Sequence, residues 1–196
     1  MIFNQLVPIL LASGSPRRQE YLARFGLEFE VDTADIDESV RSGESPMDYV
    51  RRMVLEKAEP FLEYSDRIAL ITADTLVLLN GEIIGKPKSQ AEVLPMLELL
   101  NGRTHEVITG YGVFLGDQEV LREVTSKVHF RDNPLGMLES YALDPEPLDK
   151  AGSYSIQGLG TFLVEGIEGS FNNVVGLPIE ELLEDLLRLN VIRSKH

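Results

Sequence analysis

The dipeptide Asn80-Gly81 stands between two apolar runs, "LVLL" before it and "EII" after it. The tightest hairpin turn needs positive φ at both central residues, and Asn-Gly supplies that better than almost any other pair. An antiparallel hairpin is therefore expected over "LVLLNGEIIGK", residues 76 to 86. Elsewhere strands and helices interleave, so the hairpin excludes a purely parallel sheet and predicts an α/β chain with a mixed one.

The rest of the pattern fits that frame. "PILLA" at 8 to 12 reads as a buried strand, followed by a turn at Ser13–Ser15. A helix with Pro16 at its first position runs to Phe25 and stops at Gly26. Phe29 to Asp32 is a short strand, and "SPMD" at 45 to 48 is a capping box. Behind it Val50, Met53, Val54, Ala58 and Phe61 share one helical face. "RIALITAD" at 67 to 74 reads as a buried strand ending in Asp74. A second capping box, Ser89 to Glu92, opens a helix that Pro95 bends and Gly102 ends. Strands at 105 to 115 and 119 to 130 join through Gly116-Asp117, and a short helix spans 135 to 143. After a Pro- and Gly-rich stretch come the strand "TFLVEGI", the turn "EGSFNNVVGLP" and a closing helix with Leu182, Leu183, Leu186 and Leu187. No repeat or linker divides the 196 residues, so a single domain over 1–196, or two lobes sharing one core, is expected, with a cleft.

Charge narrows the partners. Eighteen Lys and Arg against 32 Asp and Glu leave a net charge of −14. That opposes DNA, RNA and anionic membranes, which reward a basic surface, but it permits a small phosphorylated ligand. With no cysteine there is neither a disulfide nor a thiolate metal site. The N-terminal apolar run is too short to span a bilayer and lacks a cationic flank, so a soluble cytoplasmic protein is expected.

Against this acidic background, "ASGSPRR" puts two cations at a helix mouth. Unpaired N–H groups and the helix dipole there suit a phosphate. Ser13 and Ser15 add hydroxyl donors, and Arg17 and Arg18 add guanidinium forks. The competing reading is an ordinary strand-to-helix turn with two solvated arginines. Lys57 falls on the apolar stripe of its helix, either snorkelling or meeting an anion. Lys86 is a turn lysine or a second anion ligand. Asp74 suits a metal ligand, a general base or a turn cap, while Asp35, Asp37 and Glu38 form a carboxylate cluster on a loop, of a kind that is most often just solvated. Oxygen ligands without Cys favour Mg²⁺ or Mn²⁺ over zinc. His105, His129 and His196 lack metalloprotease spacing, and no Gly-x-Ser-x-Gly is present.

These segments together resemble the Maf nucleotide pyrophosphatases. "LASGSPRRQEYL", "TADT" at 72 to 75, "GEIIGKP" at 81 to 87 and "NGRTHEVITG" at 101 to 110 look like Maf motifs. So do "EPLDKAGSYSIQGLG" at 146 to 160 and "GSFNNVVGLP" at 169 to 178, and the likeness runs through the chain in order. The resemblance implies a fold similar to inosine-triphosphate pyrophosphatases, a long mixed β-sheet with flanking helices and two lobes around a cleft, and a divalent-metal hydrolase releasing pyrophosphate from nucleoside triphosphates. It implies Asp74 as proton acceptor, with Glu38, Lys57 and Lys86 beside it and the metal on Asp74 and Glu38; whether Asp74 is ligand, base or both stays open. Arg17, Thr75 and Gln157 look like the dTTP/UTP branch, where modified pyrimidine nucleotides are further candidates. Ser155 stands where Gly is common, and Phe171 where Tyr is common. The alternatives are the 7-methyl-GTP branch and a nucleotide-binding regulator of cell division without catalysis. A homodimer is a family expectation.

Overall fold

The structure is a computed structural model and describes residues 2–195; His196 lies outside the described residues. In chain order the elements begin with β1 (Phe3–Gln5), β2 (Ile9–Leu11), α1 (Pro16–Arg24), β3 (Phe29–Val31) and α2 (Pro46–Ala58). Next come β4 (Ala69–Leu79), β5 (Glu82–Ile84), α3 (Gln90–Leu100), β6 (Thr104–Leu115) and β7 (Gln118–Phe130). The last are α4 (Leu135–Ala142), β8 (Val164–Glu168), α5 (Phe171–Val175), α6 (Ile179–Arg188) and β9 (Ile192–Ser194). The main sheet has the order β3-β2-β4-β6-β7-β8, with β5 added to β4. It is mixed, as expected: β2 is parallel to β3 and β4, whereas β5 and β8 pair antiparallel to their neighbours.

The chain divides into two compact units. The first holds the chain up to Asp74, Thr109–Val124 and the chain from Gly176 onward; the second holds Thr75–Ile108 and Thr125–Val175.

In the first unit, β2 lies between β3 and the start of β4, with Ile9 facing Phe29 on one side and Ala69 on the other. All three of its residues are buried, which is why it reads as an unbroken apolar run. Pro16 starts α1 and Gly26, at φ +73°, follows its end. α2 starts as the capping box predicts, with Ser45 Oγ accepting from Asp48 N at 3.1 Å. Leu10, Ala12, Ala58, Phe61, Leu70 and Phe114 pack into one core cluster. Each large side chain so buried contributes about 1.5–3 kcal/mol. α6 buries Leu182, Leu183 and Leu186, but Leu187 is exposed, because adjacent residues of a helix point 100° apart. The buried Asp185 shares that face, accepting from Tyr111 Oη at 2.6 Å and pairing with Arg122 at 2.8 Å. β1 and β9 form a separate antiparallel pair that the sequence pattern did not announce.

In the second unit the Asn80-Gly81 hairpin is present, with φ of +53° and +85° at its two central residues. The strand before it departs from expectation: β4 does not end at Asp74 but continues to Leu79. The two apolar runs are one strand, and Asp74 interrupts it with a side chain only. At the next helix Ser89 makes no side-chain cap bond; Glu92 instead accepts from Lys88 N at 2.8 Å. "TFL" is a 3₁₀ turn, so β8 starts at Val164, and the "FNNVV" of the expected turn is the short helix α5. Its Asn173 donates to Val107 O and Ser126 Oγ, each at 3.0 Å.

Candidate active site

The site in the first unit begins where β2 ends. Ser13 is buried, and its hydroxyl accepts from Arg18 Nη1 at 2.8 Å. Ser15 occupies the N-cap of α1, but its side chain makes no cap bond. A helix start with such an uncommitted hydroxyl retains the donor character that an anion needs. Arg17 lies half-buried on the first turn.

Arg18 turns inward. Its Nε donates to Gly176 O and its Nη1 to Ala73 O, both at 2.8 Å, besides the Ser13 bond. Burial pulls its guanidinium below an arginine's ordinary value; Asp74 opposes that, Arg17 adds to it, and Glu38 opposes it again. The side chain therefore ties the serine loop to the residue directly before Asp74.

Asp74 itself is placed by strand geometry. Residues two apart in a strand share a face, so Asp74 follows Thr72, whose Oγ1 donates to Val54 O of α2 at 2.9 Å. One helical turn on from Val54 stands Lys57, and its Nζ reaches Asp74 Oδ1 at 2.7 Å. The same ammonium meets Glu38 Oε1 at 2.8 Å. Lys57 thus ends between two carboxylates, with its side chain only 14% exposed.

Glu38 reaches this point because its loop is held. Tyr49 Oη donates to Glu38 O at 3.0 Å, and Arg52 donates to Ser39 O at 2.9 Å. Arg52 also grips Glu44 with two bonds, at 2.6 and 2.8 Å. That grip draws the Glu44 carboxyl down to about 2. Burial, with Asp74 and Glu38 nearby, pushes the Tyr49 phenol up to about 12, so it remains a donor. Of the other acidic residues of the loop, Asp37 accepts from Ser39 N at 2.9 Å and Asp35 is exposed. Only Glu38 of the three comes to the lysine.

Tyr49 and Arg52 were not singled out in the sequence. Their signal was weak: a tyrosine and an arginine three apart on the first turns of a helix. Arg52→Gln is expected to expose the 39–44 segment to faster proteolytic cleavage and to lower kcat/KM about tenfold through misplacement of Glu38. Melting measured alongside should move by only a few degrees; an unchanged kcat/KM would leave the loop without a functional role.

Among the described residues, no three His, Asp or Glu side chains converge as a metal cage. The pair Asp74–Glu38 nevertheless fits Mg²⁺ or Mn²⁺. Both carboxylates already converge on one cation, the lysine ammonium. Mg²⁺ is ordinarily held by one or two carboxylates and completed by water and phosphate oxygens.

The remaining candidates belong to the second unit. Thr75, next to Asp74 in β4, projects from the opposite face of the strand and is half-buried. Lys86 is exposed just after β5, and Gln157 is exposed in a bend between two 3₁₀ turns. Around Gln157 the sequence missed two residues, Tyr141 and Glu146, which bond to each other at 2.7 Å.

With this geometry in view, the chain can be set beside known proteins. The family model described as Maf-like protein matches residues 8–189. A dTTP/UTP pyrophosphatase of Bacillus cereus (strain AH187) is 40% identical over 183 residues, covering 93% of this chain and 96% of its own. A dTTP/UTP pyrophosphatase of Geotalea uraniireducens (strain Rf4) is 43% identical over 186 residues, covering 94% and 96%. In fold alone, the Staphylococcus aureus Ham1 protein structure is similar, with a TM-score of 0.51 at 17% identity over 93% of this chain and 99% of that one. A match of this length, through both the serine–arginine loop and the carboxylate–lysine cluster, places the chain in the Maf family.

Proposed function

We propose that this protein hydrolyses nucleoside triphosphates, dTTP and UTP foremost, to the monophosphate and pyrophosphate. The observation that carries the reading is Arg18, whose Nη1 joins Ser13 of the helix-mouth loop to the carbonyl of Ala73. That tie supports reading the loop as a phosphate cradle beside the Asp74–Lys57–Glu38 cluster. The names of the relatives supply the substrate class.

In the reaction, water oxygen bonds to the α-phosphorus while the bridging oxygen to the β-phosphorus leaves with pyrophosphate. Asp74 takes the proton of the attacking water, a role typically worth about 10²–10⁴ in rate. Ser13 and Ser15 donate to phosphate oxygens, with the first turn of α1 behind them. Lys57, Lys86 and Arg17 balance the charge of the triphosphate and of the departing pyrophosphate. A divalent metal on Asp74 and Glu38 would polarise the phosphoryl group. Gln157 reads the base: its amide carbonyl accepts from N3–H of uracil or thymine and its amide N–H donates to O4. Arg17 and Thr75 complete the specificity set.

No described helix is long and apolar enough to cross a membrane. The reading includes a cytoplasmic location, a homodimer and no nucleic-acid partner, consistent with the charge of −14. The family match runs through residues of both units, which supports one Maf-like domain over 1–196.

The test is a panel of dTTP, UTP, CTP, GTP and 7-methyl-GTP with Mg²⁺ or Mn²⁺, following pyrophosphate and monophosphate release. Highest kcat/KM for dTTP and UTP, with equal yields of the two products, is expected. A preference for 7-methyl-GTP moves the chain to the other branch. Tight dTTP binding without release under either metal favours the regulator.

A further inference from the structure

Gln157 is exposed at the apex of a short segment, and what fixes that segment is not Gln157 itself. On its C-terminal side, Leu159 N donates to Glu146 Oε1 at 3.0 Å and Gly160 N to Glu146 Oε2 at 3.1 Å. On its N-terminal side, Ser155 N donates to Tyr141 Oη at 3.1 Å. Tyr141 Oη in turn donates to Glu146 Oε2 at 2.7 Å. One carboxylate and one phenol therefore take backbone N–H groups from both flanks of the glutamine. The tyrosine is buried, and its ring packs edge-on against Phe162 at 5.7 Å.

The glycines confirm how close the fit is. A Cβ on Gly158 would fall on Glu146 Oε1, and a Cβ on Gly160 would lie 2.5 Å from Tyr141 Oη. A side chain at either position would have to push the carboxylate or the phenol aside, so glycine is what lets the backbone settle on the clamp as it stands. Glu146 is further anchored from behind, with its own carbonyl accepting from Lys150 Nζ at 2.6 Å and its N–H donating to Asp144 Oδ1 at 2.8 Å.

We propose that Glu146, acting with Tyr141, is a positioning residue for base recognition: it holds the 155–160 segment so that Gln157 meets the pyrimidine edge with both amide bonds. This rests on the base-reading role given to Gln157 above. A carboxylate is the group the arrangement requires. It is acceptor-only, and here its two oxygens take three donors. An amide of the same shape has one accepting oxygen, and its NH₂ would face a donor it cannot bond. Two parallel hydrogen bonds to a base tolerate little displacement, so a loosened segment costs pyrimidine affinity before it costs chemistry.

Glu146→Gln is therefore expected to lower kcat/KM for dTTP and UTP about tenfold, mainly through KM, and to reduce selectivity over CTP and GTP severalfold. Amide hydrogen exchange at Leu159 and Gly160 should accelerate in the same protein. In a Gln157→Ala background the same change should alter kcat/KM less than twofold, since the group it positions is gone. An equal effect in both backgrounds, or an equal loss for every nucleotide through kcat, overturns the proposal and leaves Glu146 a structural residue. Gln157→Ala with intact base selectivity is a separate failure: it removes the base-reading role itself, whatever Glu146→Gln does. Should Glu146→Gln fail to fold, Tyr141→Phe removes one link of the clamp and keeps the ring. It should show the same KM-weighted, selectivity-losing pattern at smaller amplitude, and its absence counts against the proposal equally.

Discussion

Asp74→Asn is expected to reduce dTTP turnover by about 10²- to 10⁴-fold, equivalent to roughly 3–5 kcal/mol of transition-state stabilisation. The substitution is nearly isosteric, and that makes it informative. Asparagine keeps an oxygen that can accept from Lys57 Nζ, now 2.7 Å from the aspartate. It therefore retains the tie between α2 and β4 while losing the ability to take a proton. Melting temperature should shift by no more than a few degrees, and equilibrium binding of dTTP should stay within about threefold. A loss confined to kcat with binding preserved identifies a group used in the transition state. Turnover within tenfold of the parent protein would mean that Asp74 serves chiefly to anchor Lys57, and the general-base assignment would fall.

The sequence made part of this cluster legible, for a physical reason. A lysine on an apolar helical stripe is out of place and calls for an anion, and an aspartate at the end of a buried apolar run sits where a ligand group is expected. The structure gives each to the other. Glu38 was different. Nothing local separates it from Asp35 and Asp37, because its position is set by Arg52 and Tyr49, respectively fourteen and eleven residues away along the chain. The same holds for Glu146. Its partners Leu159 and Gly160 are thirteen and fourteen residues ahead, and the spacing matches neither a helix nor a hairpin.

The fold follows the same division. Hairpin chemistry at Asn80-Gly81 and the proline start of α1 are local, and both are found where the sequence puts them. The β1–β9 pair joins the two ends of the described chain through three-residue strands, "FNQ" and "IRS", which carry no alternation to detect. Reading β4 as two segments came from treating Asp74 as punctuation. A single polar residue does not stop a strand when its carboxylate has a cation to meet, and here Lys57 is in place.

His105 predicts a second large effect, on stability instead of rate. Its ring is 1% exposed, packed edge-on between Phe130 and Tyr154, with Nε2 against Tyr154 Oη at 2.8 Å. Its Nδ1 has no hydrogen-bond partner. Burial, and secondarily the nearby His129, pulls its pKa from 6.5 down to about 4. Above pH 6.5 the imidazole is neutral both folded and unfolded, so it contributes no pH dependence. As pH falls from 6.5 to 4, the unfolded chain takes up a proton that the folded protein refuses, and stability declines. Below about 4 both states carry the proton and the decline stops. Across the window the loss amounts to about 3 kcal/mol. Other groups also titrate there, so the measurement is a difference: urea unfolding of the parent and of His105→Asn at a series of pH values. The acid arm crosses the sequence pI of about 4.6 and is run at low protein concentration. The variant's side chain does not titrate, and its cavity cost is the same at every pH. The gap between the two stabilities should be constant above pH 7 and move by about 3 kcal/mol against the parent between 6.5 and 4. Parallel curves would show that the ring takes its proton without leaving the fold, and that its burial does not hold it neutral.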